Sequence, residues 1–265
     1  MEAVFIALFF FFTVVGFSTY YLQKGIGTMA DPLRQFGLFL LNKAPAGIVD
    51  LFNDEKGSGA KTWMNLGMLW LTLAGIGTFL SLWHDYDPSA LDSLASIGWA
   101  YDDGSALATF VNATLITGLF SILLGGGLVA VARSGAGKMA SESNASLTAL
   151  LFSVLTAAAL LLPTILGLLT DLSAENETLL QDLFMHSLRA FIIIAVMINV
   201  LLTVAQRKGE TIQASNWFVF MALASFIFGS QFRFFGELAD STQVVWLGER
   251  MTQSWVMISL FFAVA

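Results

Sequence analysis

The chain of 265 residues has no cysteine and only two histidines, His84 and His186. The first absence excludes disulfides, thiolate metal sites, covalent haem attachment and cysteine nucleophiles. The second leaves two imidazoles for any ligation of iron or copper. Charge is scarce too: 12% of residues are Asp, Glu, Lys or Arg, where soluble domains carry about 25%. A net charge of −7 gives no basic surface for nucleic acid. No Asp or Glu falls in the middle of a long apolar run, so the sequence offers no carboxylate relay for protons inside a membrane.

What is present is hydrophobic: 57% of the chain, including 24 Phe and 10 Met. Several apolar runs approach or exceed the roughly 18 residues that mark a membrane-spanning helix. Lipid admits only helices and closed barrels, and unbroken runs are not the alternating pattern of barrel strands. The expected fold class is therefore all-α, a polytopic transmembrane helical bundle of six to seven spans. Residues 1–60 read as an N-terminal transmembrane helix (3–22) followed by a broken, amphipathic segment at the interface. The first run could serve as a signal peptide, but it lacks a basic n-region and a clear cleavage site. Residues 61–265 read as the main bundle, with spans at 63–83, 106–132, 146–170, 183–205 and 213–235. Pro163 inside the fourth is expected to kink it.

The last run, 251–265, covers only about 22 Å as a helix, against a hydrocarbon core of about 30 Å. It implies either that the protein continues or that another chain completes the surroundings of this helix. Lysine and arginine set the orientation. With the N-terminus outside, the inner loops hold nine of them and the outer side only Arg189, Arg233 and Arg250. This predicts an integral membrane protein with its N-terminus outside.

Three stretches resemble the N-terminal half of the catalytic subunit of haem-copper oxidases, in particular the cbb-type cytochrome c oxidases. They are "LATFVNATLITGLFSILLGGGLVAVARS" with "MASESNASLTALLFSVLTAAALLLP", then "AQRKGETIQASNWF", then "MTQSWVMISLFF". Their order and spacing match the family over roughly residues 61–265. The resemblance implies the oxidase bundle, but not its chemistry. With Asn112 in register, the haem-ligating histidine of the family falls at Phe110, and its copper-ligating histidine at Ile258. Neither side chain can ligate a metal. The resemblance thus implies no catalytic residue and no cofactor in this chain, with haem and copper held in a partner subunit. The phenylalanine-rich interior would refill the volume of a lost porphyrin.

Four polar residues stand out as intramembrane or interface candidates: His186, Arg189, Asn112 and Arg233. His186 and Arg189 lie at i and i+3, on one helix face. An ionisable pair in a membrane is a functional site by default, although near a helix end both could simply snorkel. Asp182 and Glu177 are carboxylates that could pair with Arg189, and Arg233 could pair with Glu237 or a partner's carboxylate. Asn112, Asn199 and Asn216 are expected to hydrogen-bond between helices. Gly125–Gly127 reads as close helix packing, since a phosphate loop needs a helix N-terminus in water. His84 with Asp85 and Asp87 has a metal-like spacing that chance also produces.

Three functions follow. The first is a non-catalytic, haem-free membrane subunit of a respiratory or electron-transfer complex, with other membrane subunits and lipid as partners. The second is one half of a split haem-copper oxidase or nitric-oxide-reductase-like enzyme. The third is a small ion or solute transporter using His186 and Arg189.

Overall fold

A computed structural model describes residues 55–95, 104–135, 137–169, 179–207 and 212–265. The expected span at 3–22, the interfacial segment and Glu177 lie outside the described residues. All the regular structure described is helical, with no strand among the described residues. Five helices are long and apolar enough to cross a membrane. They are α1 (Ser58–Tyr86), α2 (Gly104–Ser134), α3 (Glu142–Leu169), α4 (Leu179–Ala205) and α5 (Ala214–Leu238). α1 and α2 cover the expected runs and extend past both ends, α3 and α4 start a turn earlier than expected, and α5 runs from Ala214 to a turn past the expected end. The helical backbone of α3 continues through Pro163 to Leu169.

The seventh run differs from expectation. Helical structure starts at Thr242 with α6 (Thr242–Arg250), passes through a π-helical turn at Met251–Trp255 and ends as α7 (Val256–Val264). From Thr242 to Val264 this is roughly 34 Å of helix at about 1.5 Å per residue. The expected 22 Å stub is the second half of a longer helix. Its first half carries Gln243, Glu249 and Arg250, which hid it from a search for apolar runs.

Local chemistry sets the ends. Asp87 after α1 is extended (φ −136°, ψ 99°), as a residue before proline must be, and Pro88 stops the helix. Hydrogen bonds from the Ser89 hydroxyl (2.7 Å) and amide (3.0 Å) hold the Asp87 carboxyl below its ordinary range. That carboxylate closes a turn. Among the described residues no group of three or more His, Cys, Asp or Glu side chains is placed to hold a metal. At the opposite end, Gly137 (φ 85°) takes a left-handed conformation and donates its amide to Ala132 O (3.0 Å), closing α2.

Successive helices run antiparallel. The α1–α2 pair is the closest, because glycines let the backbones approach. A Cβ on Gly67 would lie 2.9 Å from Gly118 O, and one on Gly118 2.9 Å from Leu71 N. The three glycines at 125–127 do serve packing, each toward a different helix. An added Cβ would meet Ala60 O on α1 at 2.9 Å, Val264 on α7 at 2.9 Å and Val219 on α5 at 2.9 Å, respectively.

The interior is closed by aromatic rings. Trp63 of α1, Phe120 of α2, Phe152 of α3 and Phe226 of α5 are all buried. Their ring centroids lie 4.8 Å (Phe120–Phe226) to 6.1 Å (Trp63–Phe120) apart. The opposite faces of the helices stay apolar and exposed: Leu69, Ile76, Phe79 and Leu82 on α1, Phe261 and Phe262 on α7. Apolar side chains outside as well as inside are what a lipid environment permits.

Candidate functional site

α4 carries the chain's most polar membrane-embedded stretch. Its backbone widens into a π-helical turn at Leu183–Leu188 before the regular helix Arg189–Ala205. A π-turn inserts one residue and re-aims the side chains around it. Met185, His186 and Arg189 all face a cavity of about 180 Å³ between α2, α4, α5 and the Met251–Trp255 turn. Thr252 and Gln253 of that second π-turn face the same cavity. Both π-turns among the described residues therefore border one space. Thr109, Asn112 and Gln253 form its exposed mouth, while Arg189 and Ser230 lie buried at its floor.

The charges are unevenly matched. Asp182 is buried on α4. It faces His186 Nε2 at 3.4 Å and Arg233 Nη2 at 3.7 Å. Arg233 also pairs through Nη1 with Glu249 of α6. Arg233 is thus held by two carboxylates of its own chain, neither of them Glu237, and it links α4, α5 and α6.

Arg189 is different. Asp182 and Glu177 are the carboxylates that could pair with it; Glu177 lies outside the described residues, Asp182 faces other groups, and no ion pair among the described residues includes Arg189. Arg189 lies about 15 Å along α4 from Leu179 and is only 5% exposed. Its guanidinium carbon sits 4.0 Å above the Phe152 ring and 5.8 Å from that of Phe226. Nη2 donates to Thr117 Oγ1 at 3.4 Å and Nη1 to Met185 Sδ. Nε has no acceptor. A cation–π contact returns about 2 kcal/mol when desolvated, and a thioether accepts weakly.

The other expected polar residues take separate places. Asn199 accepts from Ser141 N (3.0 Å) and donates to Ser141 O (2.7 Å), tying the α2–α3 turn to α4. Asn216 donates to Ser134 Oγ (2.8 Å), joining α5 to α2. Asn112, expected in the same role, is exposed at the cavity mouth instead. Phe110 packs toward α1, where a Cβ on Gly77 would touch its ring at 2.9 Å. Ile258 is 54% exposed on α7. The two positions matched to metal ligands thus face different surroundings, and neither borders the cavity.

Sequence reading missed Glu142, which is 1% exposed. Its carboxylate accepts from Gly57 N (3.0 Å), Gly59 N (3.1 Å) and Met139 N (3.0 Å). It satisfies free amides at the start of α1 from the first turn of α3. Ser230 was also missed; nothing in "FGSQFRFF" separates it from a helix-packing serine. No known protein family matches the chain, and neither does a curated protein or a solved structure.

Proposed function

We propose that the chain is a haem-free, non-catalytic membrane subunit of a respiratory or electron-transfer complex, with a structural role beside a catalytic partner. The observation that carries this reading is the ring cluster of Trp63, Phe120, Phe152 and Phe226. One side chain from each of four helices meets at the bundle centre, and each ring centroid lies within 6.1 Å of at least two others. Rings in contact at the centre support a haem-free interior, because interiors are filled to crystal-like density. The resemblance of residues 61–265 to the oxidase catalytic subunit supplies the expected ancestry. Phe110 and Ile258, standing where that family has its ligands, agree with a frame kept and a cofactor lost.

A subunit of this kind is expected to purify with other chains. Mild solubilisation of the native membrane and affinity capture of this chain should bring down a haem-bearing membrane protein in fixed ratio. Capture of the chain alone, across several gentle detergents, would contradict the proposal.

A further inference from the structure

We propose that the cavity between α2, α4, α5 and the Met251–Trp255 turn is an oxyanion-binding site, with Arg189 as the residue that holds the anion. This goes beyond the structural role above and stands without it. Arginine keeps its charge even when buried. A buried, unpaired charge is costly, and within a membrane it is retained where it is used. Arg189 is 5% exposed, has no ion pair among the described residues and leaves Nε without an acceptor.

The Ser230 hydroxyl, 1% exposed, also borders the cavity and also has no partner. The Nε of Arg233 is a third buried donor without an acceptor on the same wall. Three residues that line one space each keep a buried donor without an acceptor, and an acceptor with several lone pairs seated there would serve them. The guanidinium edge matches a carboxylate or phosphate oxygen pair in geometry. A cation is disfavoured, because the one carboxylate lining the cavity, Asp182, already faces His186 and Arg233.

A cavity of about 180 Å³ lies below the roughly 300–1,000 Å³ of sites for drug-sized ligands. The occupant is therefore a small free oxyanion or the phosphate of a lipid headgroup reaching in through the mouth at Asn112.

The test uses the full chain, purified in chloride buffer, with labelled acetate and labelled inorganic phosphate in equilibrium dialysis. Retained lipid phosphorus is assayed on the same sample. Saturable uptake of either ion, weakened about tenfold or more in Arg189→Gln and unchanged in Arg250→Gln, supports a free oxyanion. No uptake, but bound lipid phosphorus that Arg189→Gln releases, supports the headgroup. Ser230→Ala removes only one oxygen, and decides the matter by a fivefold or so loss if Arg189→Gln does not fold. The proposal is overturned if the wild-type chain binds neither ion and retains no lipid phosphorus. It is also overturned if Arg189→Gln and Ser230→Ala, both folded by circular dichroism, bind as the wild type does.

Discussion

Arg189 and Glu142 are opposite solutions to holding a buried charge. Glu142 has three backbone amides on its two oxygens, so its charge is spread over donors that would otherwise be unsatisfied. Replacing it with alanine strands those amides and should lower stability by about 3 kcal/mol. Glu142→Gln keeps one acceptor oxygen and should cost less. Thermal unfolding in a fixed detergent reads both, and equal melting temperatures for wild type and Glu142→Ala would refute the role. No such set of partners surrounds Arg189, which rests on Phe152 and Phe226.

The sequence marked Arg189, His186 and Arg233 as exceptional because ionisable residues are rare in apolar runs. It could not show that Asp182 turns to Arg233, near the end of another helix, and leaves Arg189 alone. That choice depends on helix rotation, which the π-turn at Leu183–Leu188 alters. Glu142 escaped notice for a simpler reason. It sits in a polar turn, "MASESNAS", where a carboxylate reads as solvated surface.

At the scale of elements, the five long helices were legible because lipid demands long apolar runs, and those runs have few competing readings. Their pairing was only partly legible. Gly125–Gly127 signalled close packing, but three adjacent residues on a helix point about 100° apart, so they serve three neighbours and not one. The helix Thr242–Val264 was half hidden, because α6 carries Gln243, Glu249 and Arg250 although it packs on α5 through Val245 and Gly248. There a Cβ on Gly229 would lie 2.9 Å from Gly248 O.

Packing of α1 on α2 gives a direct test. At Gly118 an added Cβ meets the Leu71 side chain at 2.8 Å and also its backbone N at 2.9 Å, which cannot swing away. Gly118→Leu should therefore destabilise the bundle by roughly 2 kcal/mol through overpacking. Gly75→Leu, with nothing within 4 Å of its Cβ, should leave the melting temperature unchanged. Equal effects of the two substitutions in detergent melts would show that α1 and α2 do not approach as described.

For the whole molecule, two regions matter: an aromatic centre and a polar cavity beside it. Arg189 joins them, with its guanidinium on the Phe152 ring and its Nε free of any acceptor. Membrane insertion follows from five apolar helices. The proposed oxidase-like ancestry and accessory role rest on the order of three short stretches and on the aromatic packing at the centre. Sequence alone could propose that aromatic residues replace a porphyrin. It could not select the four that meet, since 24 phenylalanines are available and only packing distinguishes them.

The central claim is that this chain carries no haem of its own. The measurement that tests it most directly is an optical spectrum with haem quantified chemically, taken on the gently solubilised complex and again on this chain freed of its partners. Haem in the complex and none on the isolated, folded chain is the predicted result. Stoichiometric haem remaining on the isolated chain would contradict it, and would make His186 the first ligand to replace.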